Sequence, residues 1–209
     1  MSQSYPQRVS ENILPLSVAN TLPEAFKEWH FTEETIDYED TVEDCQLCDH
    51  EQLRYHFKIE NEYTNKELWV GSQCILKFQV RVYDDSGRTL DNKGAKRKLN
   101  KLLEKMRIDS CIKALNAVAS KTGNDILVSA LEYYRRNKYL TPKFAFVVFW
   151  QLRKHNIDHS PSFFKISLRK QSHKDALEEM PTDRVHFFWK ALTPAQRQIA
   201  MQLGHKPPN

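Results

Sequence analysis

Apolar and polar residues alternate in the first half of the chain, a pattern that is typical of half-buried β-strands. The alternation is clearest over residues 54–60, and a second apolar run, Leu68-Trp69-Val70, follows a polar, turn-prone segment. Two such runs joined in this way predict a β-hairpin. Residues 78–90 repeat the alternation around a predicted turn and could form a second, smaller hairpin.

In the second half of the chain the apolar residues recur every three or four positions, which predicts amphipathic helices. Residues 99–106 follow this spacing, and it resumes at Ile112 after a break predicted at Asp109-Ser110. Capping residues, in two cases followed by proline, mark the start of further helices at Asn124 or Asp125, Thr141-Pro142 and Thr193-Pro194. Residues 144–150 are apolar on every face, so the helix that begins at Thr141 is expected to be the central buried one.

The N-terminal part lacks these patterns and is strongly acidic. We expect residues 1–20 to be a loose arm and Leu22–Trp29 to form a short helix. The next segment, Thr32–Asp44, is expected to be an acidic linker that leads into the first cysteines. Residues 1–51 hold twelve carboxylates and two basic residues, whereas the remaining residues hold 15 acidic and 29 basic ones. The two parts are therefore expected either to face different partners or to contact each other through opposite charges.

Cys45, Cys48 and Cys74 have the spacing of a metal site. A Cys-x2-Cys pair on a tight turn places two thiolates at the separation that a tetrahedral zinc ion requires, with Zn–S bonds of about 2.3 Å. The predicted hairpin folds back and carries Gly71 and Cys74 towards this turn. The sequence therefore predicts one structural Zn2+ ion, with three unrelated thiols as the alternative. A redox Cys-x2-Cys pair is disfavoured because this pair follows an acidic run rather than a buried strand.

The fourth zinc ligand is open between three histidines. His50 lies two residues beyond Cys48 and is the first choice. His56 is expected on the polar face of its strand, and His30 could approach from the upstream segment, whereas Asp49 is a poorer match to a thiolate-rich site. Three thiolates and one histidine would close the coordination sphere and leave no position for an activated water.

The residues from Cys45-x2-Cys48-Asp49-His50 to Val70-Gly71-Ser72-Gln73-Cys74 resemble a group of little-characterised bacterial and phage zinc-binding proteins. The shared pattern of that group is Cys-x2-Cys-Gly-His, a hairpin, and Val-Gly-Ser-x-Cys. The resemblance covers about residues 40–83. A weaker similarity is found at Leu140-Thr141-Pro142 and around residues 164–168. This chain departs from the pattern at Asp49, where the pattern has glycine. It implies that His50 is a ligand and that the protein is of prokaryotic or mobile-element origin, but it implies no particular activity.

Together these features predict an α+β protein in which a small zinc-stabilised β-hairpin module precedes a mainly helical C-terminal domain. We expect residues 1–91 to hold the acidic arm and the zinc-binding β-rich module, and residues 92–209 to form a basic helical domain. Bound zinc would offset the thin apolar core of the first module.

Basic residues concentrate in the helical part, which favours binding of nucleic acid or of a nucleic-acid-processing protein complex. The first long helix is predicted to carry them on the side away from its leucines, and aromatic residues that could stack on bases lie among the later ones. Exposed helix faces are also commonly charged without binding a ligand. The candidate contacts are Lys96, Arg97, Lys98, Lys101, Lys105, Arg135, Arg136, Arg169 and Lys170.

A protein-interaction module that inhibits or recruits a host protein through residues 32–44 is the second hypothesis for function. An enzyme is the third, because the sequence contains no glycine-rich phosphate loop, no His-Glu-x-x-His and no zinc-deaminase signature, and so offers no catalytic residues. Cys111 falls within a helical pattern and is expected to be a core thiol.

The sequence also predicts the compartment. Four cysteines, three of them assigned to one metal site, favour a reducing cytoplasm over disulfide formation. Residues 1–6 lack the basic start and apolar stretch of a signal peptide, and the longest apolar run, residues 144–150, is too short to cross a bilayer. We therefore expect a cytoplasmic protein without a membrane partner.

Overall fold

The structure is a computed structural model that describes residues 5–208. The chain divides into two compact units, Met1–Met106 and Arg107–Asn209, and the division falls inside the helix Asn92–Thr122, which begins where the sequence placed the domain boundary. This helix is continuous, so the break predicted at Asp109-Ser110 is wrong. The two polar residues do not interrupt the helix because neither is glycine or proline, the residues with the largest helix penalty.

The described part of the first unit contains a small antiparallel sheet with helices before and after it. Its three strands have the order β1-β2-β3, and the predicted hairpin is confirmed as β2 and β3. Short 3-10 turns, Leu14–Leu16 and Phe26–Glu28, extend the first two helices. The elements are α1 (Tyr5–Ile13), α2 (Leu22–Ala25), β1 (Trp29–Asp37), β2 (Tyr55–Asn61), β3 (Glu67–Val70), α3 (Ser72–Lys77) and the start of α4 (Asn92–Thr122).

Strand β1 extends into the segment that was predicted to be an acidic linker, so that prediction is wrong for residues 32–37. Trp29 and Phe31 are buried, and β1 pairs with β2 along its length. A bulge between Phe31 and Thr35 shifts the register, and Glu33 within it has a φ of 70°. Because the bulge interrupts the alternation of side chains, the sequence lacks the regular period that would indicate a strand.

Helix α1 and the 3-10 turn after it occupy residues 5–16 of the segment 1–20 that was predicted to be a loose arm, so that prediction is wrong there. Residues 1–4 of the segment lie outside the described part. Val9 and Ile13 lie one turn apart in α1 and are fully buried in the core of the first unit, together with residues of all three strands. Two core positions in a nine-residue helix are too few to reveal it in the sequence. Helix α2 and the 3-10 turn after it confirm the short helix predicted from Leu22.

A buried carboxylate ties the residues before β1 to the sheet. Glu28 is 6% exposed and accepts hydrogen bonds from the N–H groups of Val18 at 2.8 Å and Ala19 at 2.7 Å, and from Nδ2 of Asn61 at 2.8 Å. Burial raises the pKa of this carboxyl, but the three hydrogen bonds together lower it by more than burial raises it. The pKa therefore lies below its ordinary value of 4.5. Glu28 is therefore a buried, ionised acceptor.

The described part of the second unit is helical. The side chains of Asn124, Thr141 and Thr193 accept hydrogen bonds from backbone N–H groups in the first turns of their helices, as predicted. The helix that begins after Thr141 contacts three of the others and is the central one, although its Trp150 is exposed. After the end of α4 the helices are α5 (Asp125–Asn137), α6 (Pro142–Lys154), α7 (Gln171–Glu178), α8 (Thr182–Phe188) and α9 (Pro194–Gln202).

The fold class predicted from the sequence, an α+β protein with a small sheet followed by a helical part, is confirmed. Among residues 5–208, no helix combines the length and the apolar composition that spanning a bilayer requires.

Candidate metal centre

Two backbone hydrogen bonds fix the turn that carries the first two cysteines. The N–H of Asp49 donates to the carbonyl of Cys45 at 2.8 Å, and the N–H of Cys45 donates to the carbonyl of His50 at 2.9 Å. Asp49 has a φ of 54°, in the left-handed region that favours glycine. The side chains of Cys45 and Cys48 are only 1% and 4% exposed.

Strand β3 brings the third cysteine to this turn. The N–H of Gln46 donates to the carbonyl of Trp69 at 3.0 Å, and its side-chain oxygen accepts from the N–H of Trp69 at 2.7 Å. Gly71 follows the strand, and its N–H donates to Sγ of Cys45 at 3.5 Å. Cys74 lies in the first turn of α3 and is 5% exposed. The hairpin therefore joins the two halves of the cysteine pattern, as the sequence predicts.

The three sulfur atoms form a buried group that could hold a metal ion. Sγ of Cys74 lies 3.7 Å from Sγ of Cys45 and 3.3 Å from Sγ of Cys48. All three are free thiols, and these separations far exceed the S–S bond of about 2.05 Å in a disulfide. Two sulfurs bound to one tetrahedral ion by bonds of about 2.3 Å lie about 3.8 Å apart. The donor set therefore fits a single tetrahedral ion.

Hydrogen bonding and burial give the three thiols different acidities. The hydrogen bond with Cys74 lowers the pKa of Cys45 to about 5, and backbone N–H groups contribute against the opposing effect of burial. Burial raises the pKa of Cys48, whereas the hydrogen bond to Cys45, together with burial, raises the pKa of Cys74. Hydrogen bonds thus outweigh burial for the thiolate of Cys45 but not for those of the other two cysteines. Ionising all three thiols needs a positive charge among them, which is what a metal ion supplies.

The structure places the three candidate histidines in different surroundings. His50 is exposed and lines a cleft of about 500 Å³ that opens on the three thiols. His56 is 2% exposed, which corrects the expectation that it faces the polar side of its strand; its Nδ1 bonds to the hydroxyl of Tyr38 at 3.3 Å. His30 lies beside Glu62, with Nδ1 3.8 Å from the carboxylate. Of the three histidines, His50 alone lines this cleft.

The same cleft is lined by residues that no pattern in the sequence indicated. They include Arg54 and Tyr55 at the start of β2, Lys77 in α3 and Leu103 in α4. These residues come from separate segments that only the fold brings together, so no local motif could have identified them.

Cys111 belongs to the second unit, where it is 2% exposed in the helical core. Burial raises its pKa to about 12, so it stays a neutral thiol. The prediction that Cys111 is a core thiol is confirmed.

Helix α4 presents basic residues on the surface of the first unit. The exposed ones among the candidates are Lys96, Arg97, Lys101 and Lys105. Among residues 5–208 no carboxylate pairs with these four side chains. Lys98 differs, because its ammonium pairs with Glu33 and donates to the carbonyl of Tyr83 at 2.7 Å. The charge of Lys98 is therefore used within the unit.

The other candidate cations lie in the second unit. Arg135 and Arg136 are exposed in the last turn of α5, and Arg136 pairs with Glu132 at 3.4 Å. Arg169 and Lys170 are exposed just before α7. An exposed ion pair such as that of Arg136 contributes little free energy, so all four cations remain free to contact a ligand.

Substitution of Asp49 tests the left-handed turn. Asp49→Gly is expected to leave the free energy of unfolding within about 0.5 kcal/mol of wild type or to raise it, because glycine adopts a positive φ without strain. Asp49→Val is expected to lower it by about 1–2 kcal/mol, because a β-branched residue is strained there. Urea unfolding measures both values. Glu51→Val is the control, since Glu51 is exposed and has no positive φ; equal losses at both positions would contradict this account.

No protein-family model matches the chain, and neither curated proteins nor solved structures give a significant match. The buried thiols, the cleft above them and the exposed cations of α4 are therefore the features that bear on function.

Proposed function

We propose that Cys45, Cys48 and Cys74 hold a structural zinc ion, with His50 as the fourth ligand. The buried sulfur group supports this, because thiolates are soft donors that suit zinc. His50 is supported by its place in the lining of the cleft and by the resemblance to the Cys-x2-Cys-Gly-His pattern. With four protein ligands, the ion would stabilise the first unit rather than activate water.

The protein is further proposed to bind nucleic acid, or a nucleic-acid-processing complex, through α4. The observation that carries this proposal is a row of exposed cations, Lys93, Arg97, Lys101 and Lys105, at every fourth position of the helix. Successive members rise by about 6 Å along the helix axis. Mobile cations repeated at this interval suit a phosphate backbone, and each contact releases counterions from it.

We also propose that the protein is cytoplasmic and belongs to a phage or another mobile element. All four cysteines are free thiols, which is consistent with a reducing cytoplasm. The resemblance of residues 40–83 to bacterial and phage proteins supports a role in a phage or another mobile element.

Binding of a host protein through residues 32–44 is the alternative. The structure gives this segment less free charge than its composition suggests, because Glu33, Glu34 and Asp37 pair with basic side chains of the same unit. Nucleic-acid binding is therefore the function we put forward, and a protein partner is an outcome that its test can reveal.

A charge-reversal experiment tests the row on α4. Changing Lys93, Arg97, Lys101 and Lys105 together to glutamate is expected to abolish the salt-sensitive binding of single-stranded DNA or RNA. If these residues make four phosphate contacts with a single strand, the slope of log K against log salt should decrease by about 3. Fluorescence anisotropy with labelled oligonucleotides across a range of salt concentrations measures both effects.

A variant with the same net charge serves as the control. Lys66, Lys121, Lys143 and Lys206 are exposed and scattered over the chain, so their reversal to glutamate should reduce binding only slightly. Equal binding by wild type and the α4 variant would overturn the proposal. So would a cellular partner that survives nuclease treatment and is lost when residues 38–44 are replaced by a neutral sequence.

A further inference from the structure

A second cavity lies in the described part of the second unit, between the end of α6, the turn Pro161–Phe163 and α8 with the turn that follows it. Its volume is about 230 Å³. The ionisable side chains that line it, among the described residues, are all of basic type: Arg153, His159, His186 and Lys190. Arg153 and Lys190 are positively charged, and cations around a small cavity concentrate a positive potential, which favours an anionic ligand.

Backbone carbonyls fix one proton on each of the two histidines. Nδ1 of His159 lies 2.8 Å from the carbonyl oxygen of Ile157, and Nε2 of His186 lies 2.9 Å from that of Lys206. Because a carbonyl oxygen only accepts, these nitrogens carry the hydrogen. The other ring nitrogen of each histidine has no hydrogen-bond partner among residues 5–208. When the ring is doubly protonated, that nitrogen also carries a hydrogen and can donate a hydrogen bond to an anionic oxygen.

The apolar part of the lining includes two aromatic residues, Phe149 and Phe187. The guanidinium of Arg153 lies 5.4 Å from the ring centre of Phe187. The ring of Phe149 meets that of His159 edge to face, with 5.8 Å between the centroids. Aromatic rings and guanidinium planes are the surfaces on which nucleic-acid bases stack. The cavity therefore offers cations and planar surfaces together.

We propose that this cavity binds one nucleotide unit, with its phosphate among the basic side chains and its base against the planar groups. The ligand could be a free nucleoside monophosphate or the phosphorylated end of a single strand. The cavity is smaller than the roughly 300–1,000 Å³ of most small-molecule sites, so it leaves no room for a ligand larger than one nucleotide. This site requires neither zinc nor the cations of α4, so it stands or falls separately from the function proposed above.

Isothermal titration of the full chain with AMP, adenosine and inorganic phosphate tests the site. AMP is expected to bind at least about tenfold more tightly than either fragment, because only AMP engages both parts of the cavity. The variant Arg153→Gln, Lys190→Gln should bind AMP at least about tenfold more weakly than wild type, since both side chains are charged donors. Lys154→Gln is the matched control: Lys154 adjoins Arg153 but lies over the ring of Trp150, at 5.0 Å, and does not line the cavity.

Oligothymidylates with a 5′-phosphate or a 5′-hydroxyl distinguish the two sources of ligand. Tighter binding of the phosphorylated strand, lost in the Arg153/Lys190 variant, identifies a strand end; AMP binding without that difference identifies a free nucleotide. Charge reversal on α4 should leave AMP binding unchanged. AMP that binds no more tightly than inorganic phosphate, or equally tightly to wild type and to the Arg153/Lys190 variant, would overturn the inference. Circular dichroism checks that the variants, whose substituted residues are exposed, retain their helices.

Discussion

Replacing Cys74 with serine is expected to abolish metal binding and to unfold the first compact unit. Sγ of Cys74 lies 3.7 Å from Sγ of Cys45 and 3.3 Å from Sγ of Cys48, so it belongs to the same donor group. Structural zinc contributes on the order of 10–16 kcal/mol in small zinc-finger peptides. Whole domains are stable by only about 5–15 kcal/mol. The free energy that is lost with the ion is therefore expected to exceed the free energy of unfolding of this unit, and the unit should unfold.

Hydrogen exchange detected by mass spectrometry measures this effect in each unit separately. Protection should be lost over β1, β2 and β3 in the Cys74→Ser variant, while α5 to α9 keep most of theirs. A strong chelator should reproduce the loss in wild type, and added zinc should reverse it. Cys111→Ala is the control, because Cys111 is buried in the second unit and should not affect metal content. Strands that stay protected without metal would contradict the structural role of the ion.

Replacing Glu28 with alanine is expected to lower the free energy of unfolding of the first unit by about 3–5 kcal/mol. The change leaves the N–H groups of Val18 and Ala19 and the side chain of Asn61 without their buried acceptor. Hydrogen bonds to a charged group contribute about 1.5–3 kcal/mol each, and a buried donor left without a partner costs about 1–3 kcal/mol. Urea unfolding measures the change. Glu24→Ala, which removes an exposed carboxylate paired with Lys27, should cost less than about 0.5 kcal/mol.

The same carboxylate gives the stability a defined dependence on pH. The pKa of Glu28 is lower in the folded chain than its ordinary value of 4.5, so its contribution is present above pH 4.5 and is lost as the pH falls through the folded pKa. Wild type should therefore lose more stability on acidification below pH 4.5 than Glu28→Gln, which cannot titrate. Parallel acid-unfolding curves for the two proteins would show that the ionised form of Glu28 contributes nothing.

The sequence predicted those features whose signals are local. The hairpin follows from alternating residues around a polar turn, and the starts of α5, α6 and α9 follow from one capping residue each. The cysteines could be grouped because a hairpin of this length must return Cys74 to the turn that holds Cys45 and Cys48. Each of these inferences needs only neighbouring residues and a standard backbone geometry.

Features that depend on tertiary contacts escaped prediction. The acidic residues of β1 suggested a linker, but Glu33 and Glu34 pair with Lys98 and Lys58 from distant segments, and the bulge at Glu33 hides the strand period. His56 contacts Tyr38, which follows the end of β1 that pairs with the start of β2. Composition shows that these residues are polar, but it does not show which of them will meet a partner in the fold.

The metal content of the purified wild-type chain tests the central claim most directly. Mass spectrometry of the native protein and elemental analysis should find one zinc ion per chain, and a thiol reagent should modify Cys45, Cys48 and Cys74 only after the ion is removed. The same count should fall to zero in Cys74→Ser and stay at one in Cys111→Ala. A folded protein that carries no metal, and whose three clustered thiols show no change in reactivity on addition of zinc, would contradict the account.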